Sequence, residues 1–384
     1  MTFNHETFKE FSTSLQSSRF NCEGSDVEEA MYMIHTTDNR ALFMDQLQGI
    51  VNTYSHIRWS EPQMLPVFIR IFLSDTANQG EPVAKAFSGE RCPVSIIEQP
   101  PLGEGKIAMW IYSQKGVVIR HKEGKGFYSM EHSDYCHLWS ADVANPETKG
   151  SKAQTMELLD DYRKLIAQHK CTLFSDTIRT WFFIQNVDVN YAGMVVGRND
   201  IFDEEGLTPD KHFISSTGIQ GRVASHDSFV MMDAYTVGGL KPGQIQFLYA
   251  PTHLNSTAEY GVRFERGTAV HYGDRSHVFI SGTASIDNKG EVVYVGEIDK
   301  QTLRMWKNVE MLLAEADCDF GDIAQLIVYL RDISDMDLVR EMFAERFPQT
   351  PTVFVLAPVC RPQWLIEMEC IAIRKNNNPE YAPY

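Results

Sequence analysis

A pattern of elements that recurs three times along the chain limits the possible fold more than any other feature of the sequence. Each copy has an amphipathic helix, a strand rich in β-branched and aromatic residues, and a second helix. Leu73, Ile184 and Leu330 occupy the same position in the three strands. The sequence predicts these segments at 40–54, 65–75 and 78–87, at 151–170, 176–188 and 189–202, and at 299–319, 324–333 and 334–347, with Ser334 as the N-cap of the last helix.

Further strands flank each helix pair, with one strand before it and two after it. They are predicted at 31–37, 93–99 and 106–113, at 136–143, 212–219 and 228–237, and at 277–286, 352–359 and 364–373. One unit therefore has the order β-α-β-α-β-β, an α+β layer with helices on one face of a sheet. We expect three tandem units, a degenerate one at 20–114 and two others at 115–245 and 246–376, that form an intrachain pseudo-trimer. Clefts between neighbouring units are natural ligand sites.

The charge balance restricts the partners of such a protein. The 384 residues include 35 Lys and Arg against 51 Asp and Glu, which gives a formal net charge of −16. Nucleic acids and anionic membranes select basic surfaces, so neither is expected as a partner.

The seven cysteines are scattered without a CxxC pair, which favours free thiols in a cytoplasmic protein. No metal or organic cofactor is expected, because the sequence has neither metal-ligand spacing nor a phosphate-binding loop.

Several sequence blocks connect these units to known families. ISGTASID at 280–287 and IEMECIAI at 366–373 resemble the YjgF/Rid family, whose members form trimers of this unit. Three separated blocks resemble chorismatases more narrowly, namely residues 176–218, 259–286 and 360–369. Chorismatases are themselves similar to YjgF proteins joined in one chain, which agrees with the repeat. The resemblance implies a YjgF-like fold and an enzyme that releases pyruvate from chorismate, a small anionic substrate.

Two glutamates in the last predicted strand are the candidates for proton transfer. Glu367 and Glu369 alternate with Ile366, Met368 and Cys370, so both carboxylates point to the same side of the strand. Burial and like charge would raise the pKa of one of them, as a general acid near neutral pH requires. Spacing alone leaves open that both glutamates only pair with arginines. The chorismatase resemblance assigns the catalytic role to Glu367 and a supporting role to Glu369.

Chorismate needs cationic partners as well as an acid. Its enolpyruvyl ether is cleaved after protonation of the terminal methylene carbon, while its two carboxylates favour arginine ligands. Tyr260 and Arg263 lie in a block that resembles the chorismatase substrate-binding segment and are expected to bind a carboxylate, with Arg361 as a second candidate. Thr217 and Gly218 are expected to provide backbone donors from a turn near the same cleft.

Two further positions bear on the product. The resemblance places Gly273 and Cys360 where chorismatases that form 3-hydroxybenzoate carry a glycine and a cysteine. It therefore implies 3-hydroxybenzoate and pyruvate, with a dihydroxy-cyclohexadiene carboxylate as the alternative product. Cys360 need not be a nucleophile, because no His or Asp is tied to it by sequence pattern. Of the other arginines considered, Arg266 is left unassigned, while Arg179 and Arg198 are interpreted as structural ion-pair partners.

Two other functions stay open at the level of sequence. A Rid-type imine deaminase would share Glu367, but the arginine on which that chemistry relies aligns with Thr352 here. A small-ligand-binding protein without catalysis would keep the arginines and would not need an acid at position 367. Fusion of three units removes the reason to trimerise, so a monomer or a weak homo-oligomer is expected.

Overall fold

Three six-stranded mixed sheets, one for each repeat, make up the fold. The computed structural model describes residues 1–103, 105–124 and 126–384, apart from the side chains of 120–124 and 260. The first unit contains β1 Thr2–Phe8, β2 Thr13–Asn21, β3 Glu28–Thr36, α1 Phe43–Ser60, β4 Leu65–Leu73, α2 Thr76–Ala86, β5 Val94–Glu98 and β6 Ile107–Lys115. The second contains β7 Val118–Gly124, β8 Phe127–His132, β9 Tyr135–Ala144, α3 Ser151–Ala167, α4 Leu173–Asp176, β10 Thr177–Ile184, α5 Val187–Glu205, β11 Ser215–Gln220 and β12 Val230–Gly238. The third contains β13 Ile245–Leu248, β14 Gly267–His271, β15 Arg275–Ala284, α6 Ile298–Glu315, β16 Ile323–Leu330, α7 Met336–Arg346, β17 Thr352–Leu356 and β18 Ile366–Lys375.

The three sheets share one topology, which confirms the predicted repeat. Their strand orders are β1-β2-β3-β6-β4-β5, β7-β8-β9-β12-β10-β11 and β13-β14-β15-β18-β16-β17. In each sheet the last two strands in this order are parallel, and the second long helix of the unit connects them. Leu73, Ile184 and Leu330 are the last residues of β4, β10 and β16, so the predicted equivalence of these three positions is correct.

Each unit begins with a pair of strands that the sequence did not predict. In the first unit these are β1 and β2, so its sheet begins at Thr2, ahead of the predicted boundary at residue 20. β1 is the outermost strand of its sheet, and six of its seven residues are not buried. An edge strand of this kind lacks the apolar pattern from which strands are predicted.

The inner faces of the three sheets meet at the centre of the molecule. The largest buried cluster unites Trp110 of the first unit, Trp181 of the second and Phe279 of the third. Phe68 of β4 stacks across the unit boundary on Trp181, with ring centroids 6.3 Å apart. Two more clusters fill the space between helices and sheet in the first and second units. Burial of one sheet face against the other two units explains why three copies are joined.

The start of α7 differs from the sequence expectation. Ser334 is not the N-cap, because a short 3₁₀ turn at Ile333–Asp335 precedes the helix. Asp332 caps that turn, and its carboxylate accepts the Ser334 backbone N–H at 2.8 Å. A carboxylate at the start of a helical turn interacts favourably with the helix dipole and accepts a backbone N–H group that has no partner within the turn.

Strand β11 connects the second unit to the third. Short β-bridges join Ser215 to Glu265 and Ile219 to Val359. The Ser216 backbone N–H also donates to Ser281 Oγ at 2.9 Å. These contacts hold the carboxyl half of the second unit against β15 and β18 and leave a cleft between the two units. Among the helices in the described part of the chain, none is long and apolar enough to span a bilayer.

Candidate active site

The carboxyl group of Glu367 lies between the second and third units. Glu367 is the second residue of β18 and pairs with Tyr329 of β16 and Ala284 of β15. Its side chain is almost completely buried, with 5% exposure. Gly282 packs directly against it, since a Cβ at this position would overlap Glu367 Oε1. The missing side chain at Gly282 therefore leaves the space that the carboxyl group occupies.

A cavity of about 240 Å³ opens beside this carboxyl group. Its walls come from α5 and β11 of the second unit and from β15, the 262–266 segment and the start of β18 in the third unit. Both apolar and cationic side chains face it, as expected for a site that binds a small organic anion. The lining residues are Tyr191, Arg198, Ser216, Thr217, Gly218, Val262, Phe264, Arg266, Gly282, Ala284, Ile286, Cys360, Arg361, Trp364 and Glu367.

The neighbouring Glu369 is engaged in a buried ion-pair network. Arg179 Nη2 donates to its Oε2 at 2.8 Å, and Trp181 Nε1 donates to its Oε1 at 2.7 Å. Thr217 Oγ1 donates to the same carboxylate and accepts the Gly282 N–H at 2.9 Å. Arg70 of the first unit lies 3.8 Å from Glu369 Oε1, so all three units meet at this carboxylate. Glu369 thus has the supporting role that was expected, and Arg179 is an ion-pair partner.

The pKa of the Glu367 carboxyl group is raised to about 8. Burial is the main cause and the charge of Glu369 adds to it, while Arg266 and Arg179 act in the opposite direction. Desolvation disfavours the carboxylate, and a second negative charge nearby disfavours it further. Glu367 is therefore a neutral carboxylic acid at neutral pH, which is the form that can donate a proton.

Three arginines, Arg198, Arg266 and Arg361, contribute to the cavity wall, and only Arg361 was predicted to bind substrate. Arg198 and Arg266 are buried charges with 1% and 4% exposure. Arg198, which was interpreted as a structural ion-pair partner, contributes to the cavity wall from α5. Its helical spacing from Met194 and Ile201, both buried, is the sequence signal that could have located it on the inner face.

Arg263, by contrast, lies outside the cavity lining. Its guanidinium group forms an ion pair with Asp203 and donates to the Asn199 carbonyl at 3.3 Å, so it attaches the 262–266 segment to α5. The predicted substrate-binding role of Arg263 does not agree with this position. The side chain of Tyr260, its predicted partner, lies outside the described part of the structure.

Gly273 is also remote from the cavity lining. It lies in the turn between β14 and β15, where its N–H donates to the Ala382 carbonyl at 2.8 Å. A Cβ at Gly273 would lie 2.5 Å from the Tyr381 carbonyl oxygen, so glycine is required for packing of the 381–383 segment. The structure does not support the predicted pocket position of Gly273.

The remaining predicted residues, Thr217, Gly218 and Cys360, line the cavity together with Glu367 and Arg361. A Cβ at Gly218 would lie 3.1 Å from Tyr191 Cε2, so this glycine permits close packing of α5 on β11. Burial, followed by the charge of Glu367, raises the pKa of the Cys360 thiol to about 12. The thiol is therefore protonated and hydrogen-bonds with Tyr191, which agrees with an inert wall residue.

The corresponding positions of the other two units carry no acid. Glu367 pairs with Tyr329, the residue before Leu330. The same pairing places Ala108 opposite Phe72 in the first unit and Met231 opposite Phe183 in the second. The three units are therefore equivalent in fold but differ at this position, and the buried carboxyl group of Glu367 is specific to the third unit.

Comparisons with known proteins agree with this architecture. The family described as Endoribonuclease L-PSP matches residues 265–374. A RutC family protein of Pyrococcus abyssi is 32% identical over 100 residues, which are 26% of this chain and 79% of the relative. The 3-aminoacrylate deaminase RutC of Acinetobacter baylyi is 29% identical over 97 residues, or 25% of this chain and 77% of the relative.

A solved structure is similar over most of the molecule. The crystal structure of a chorismatase superimposes with a TM-score of 0.63, covering 80% of this chain and 93% of that chain. The two sequences are 18% identical, so the likeness concerns the fold. The family model matches the third unit, and the solved structure covers most of the chain.

Proposed function

The chain belongs to the RutC family, and within this fold we propose that its third unit supplies the acid of a chorismatase-like enzyme, which cleaves the enolpyruvyl ether of chorismate and releases pyruvate. The observation that carries the proposal is the neutral, buried acid of Glu367 at the wall of a cavity that three arginines also line. The fold shared with a chorismatase over 80% of the chain supports the same function.

Glu367 acts first in the proposed mechanism. Its carboxylic acid proton is transferred to the terminal methylene carbon of the enolpyruvyl group, whose π electrons form the new C–H bond. The adjacent carbon becomes an oxocarbenium centre, and Glu367 becomes a carboxylate. Burial and the charge of Glu369 keep Glu367 protonated until the substrate is bound, so the acid form that this step requires is present at neutral pH.

Either water or the neighbouring hydroxyl group of the ring then attacks the oxocarbenium centre. Attack by water gives a hemiketal that collapses to pyruvate and a dihydroxy-cyclohexadiene carboxylate, with net consumption of one water molecule. Attack by the ring hydroxyl gives a cyclic ketal. Loss of the ring proton at the ether carbon then cleaves the ring bond to the attacking oxygen and makes the ring aromatic, and the resulting hemiketal collapses to pyruvate and 3-hydroxybenzoate without net consumption of water. We propose 3-hydroxybenzoate, supported by Cys360 in the cavity wall.

The arginines have a separate role in binding the substrate. Arg198, Arg266 and Arg361 offer planar cationic donors at the cavity, where two carboxylates must leave water. These local charges can attract an anion although the chain as a whole has a net charge of −16. The same net charge makes RNA an unsuitable substrate.

A Rid-type deaminase is the second candidate, favoured by the similarity to the RutC deaminase of Acinetobacter baylyi. That chemistry in the family relies on an arginine at the start of the strand after the second helix. Thr352 occupies this place in the third unit, and Ser216 occupies the matching place in the second unit, beside Glu367. Neither side chain can supply the cation, so chorismate cleavage fits the site better.

Incubation of the purified chain with chorismate tests the proposal. We expect one pyruvate for each chorismate consumed, detected by reduction with lactate dehydrogenase, and chromatography then identifies the ring product. Release of ammonia from 2-aminoacrylate without pyruvate formation from chorismate would favour the deaminase. Binding of chorismate without turnover would favour a ligand-binding protein.

The rate of pyruvate release is expected to fall as pH rises through the pKa of Glu367, because only the protonated form donates a proton. With this pKa at about 8, kcat should be flat at lower pH and fall with increasing pH above it. Glu265 is the control, since burial raises its pKa to about 7 and it neighbours Arg266. Glu265→Gln should retain the alkaline decline. Its disappearance in that variant would assign the titration to Glu265.

Arg266→Met and Arg198→Met are each expected to raise KM for chorismate by about tenfold to about 150-fold, the effect of losing a hydrogen bond to a charged group. Arg263→Met is the matched control, because this arginine pairs with Asp203 outside the cavity. Its KM should change by less than about twofold, as for other surface ion pairs. Steady-state kinetics of the three variants, with thermal melts to confirm folding, decide the assignment. A larger effect at Arg263 would restore its predicted role.

A further inference from the structure

Arg266 and Arg361, the two cavity arginines of the third unit, are held by two residues that contact each other, Asn255 and Gly290. Arg266 Nη2 donates both to the Asn255 carbonyl and to Asn255 Oδ1, each at 3.2 Å. The Asn255 side chain is itself fixed, because its Nδ2 donates to Glu259 Oε2 at 3.1 Å. Asn255 is buried, with 7% exposure, and lines a second cavity to which Arg266 also contributes. It is not among the residues that line the cavity beside Glu367, so it supports the Arg266 guanidinium group from outside that cavity.

Gly290 links this asparagine to the other arginine. Arg361 Nη1 donates to the Gly290 carbonyl at 3.3 Å. A Cβ at Gly290 would lie only 2.7 Å from Asn255 Nδ2, so the backbone approaches the asparagine as closely as a side-chain-free residue allows. The residue also has a φ of +81°, which favours glycine. Gly290 thus holds Arg361 through its carbonyl oxygen and contacts Asn255, the residue that holds Arg266.

Several hydrogen bonds fix the turn that carries Gly290. The Asp287 carboxylate accepts the backbone N–H groups of Lys289 at 2.9 Å and Glu291 at 3.0 Å. Arg304 of α6 then ties the turn to the segment that carries Asn255, since it donates to the Ile286 carbonyl at 3.1 Å and to the His253 carbonyl at 2.9 Å. Both segments are fixed to the same helix, so their spacing is defined.

We propose that Asn255 and Gly290 are positioning residues that set the separation of the Arg266 and Arg361 guanidinium groups and so match the site to a small dianion. The inference rests on the proposed function for the identity of the dianion. A ligand with two carboxylates gains from both arginines only if their spacing fits its own. A shift of either group costs affinity, whereas Glu367 keeps its proton, because Arg266 acts only to lower the pKa of that carboxyl group.

Gly290→Ala and Gly296→Ala form a matched pair for the test. Both glycines have a φ of +81°, so alanine meets the same backbone strain at each. A Cβ at Gly296 has no neighbour within 4 Å, whereas at Gly290 it pushes on Asn255. Chorismate affinity is measured by titration calorimetry in a Glu367→Gln background, in which turnover is blocked. We expect binding to weaken at least about tenfold for Gly290→Ala and by less than about twofold for Gly296→Ala.

A double-mutant cycle distinguishes positioning from general destabilisation. In Asn255→Ala the support of Arg266 is lost and the overlap with Gly290→Ala is removed, so the two effects on affinity should be strongly non-additive. In the active enzyme each single variant should raise KM and leave kcat nearly unchanged. Additive effects, equal losses in the two glycine variants, or a fall in kcat alone would each overturn the proposal. If Gly290→Ala does not fold, the KM and kcat of Asn255→Ala alone test the proposal.

The binding experiment distinguishes a wrong substrate assignment from a wrong positioning claim. If the Glu367→Gln parent does not bind chorismate, the substrate assignment is wrong. Crystal structures of Gly290→Ala and Gly296→Ala then still decide the positioning claim. A displaced Arg266 guanidinium group in Gly290→Ala alone supports it, and unchanged guanidinium positions in both variants contradict it.

Discussion

Glu367→Gln is expected to lower kcat for pyruvate release from chorismate by about 10²- to 10⁴-fold, the contribution of a positioned general acid. The amide keeps the volume of the side chain and its place beside Gly282, but it has no acidic proton to transfer to carbon. Burial of a neutral amide resembles burial of the neutral acid, so folding should be retained. Chorismate affinity should stay within about threefold of that of the unmodified protein, since the arginines are unchanged.

The control for this variant is Glu310→Gln, which changes an exposed glutamate paired with Lys307 on the surface of α6. Its kcat should equal that of the unmodified protein. Kinetics by the lactate dehydrogenase assay and binding by calorimetry complete the comparison. Pyruvate formation at an undiminished rate in Glu367→Gln would show that another group donates the proton.

Glu369→Leu is expected to lower the free energy of unfolding by about 3–5 kcal/mol, because it leaves the buried Arg179 guanidinium group without its carboxylate. Arg179 has 1% exposure and cannot recover the lost interaction from water. Urea unfolding followed by tryptophan fluorescence measures the change.

Two further variants sharpen this prediction. Glu204→Leu removes a half-exposed carboxylate that pairs with Arg163 at 2.9 Å, and its effect should not exceed about 1 kcal/mol. In Arg179→Met/Glu369→Leu both charges are gone, so part of the lost stability should return. If the double variant is less stable than Glu369→Leu by the full effect of Arg179→Met, the pair is not coupled and the account of the network is wrong.

The periodicity of the sequence predicted the core of the fold but not its edges. Strands β4, β10 and β16 are buried on both faces and read as continuous apolar runs. Their flanking helices show regular apolar spacing. The opening strands of each unit lie at or next to the edge of a sheet, and β1 is mostly exposed, so backbone pairing rather than apolar burial defines them. No single-sequence pattern reports that pairing.

Only part of the site was predicted, because the sequence reports the alternation within a strand but not the contacts between units. Strand alternation placed Glu367 and Glu369 on one face, and the structure confirms both that face and the different surroundings of the two groups. The arginines could not be ranked in this way, because their roles depend on which side chain crosses the boundary between two units. Arg263 and Arg266 are three residues apart, yet the first contacts Asp203 and the second lines the cavity.

Gly273 shows a second limit of sequence resemblance. It lies within a block that resembles chorismatases, but its surroundings come from residues 381–383, more than a hundred positions later. Gly282 was not singled out, although it provides the space for the Glu367 carboxyl group. The function of a glycine depends on what approaches it, and that is a property of the tertiary structure.

The most direct test of the central claim is the crystal structure of Glu367→Gln with chorismate bound. The account predicts chorismate in the cavity between the second and third units, with its enolpyruvyl methylene carbon about 3–3.5 Å from the side chain at position 367. Its carboxylates should contact the guanidinium groups of Arg198, Arg266 or Arg361. Chorismate bound elsewhere, or bound with its methylene carbon turned away from position 367, would contradict the account.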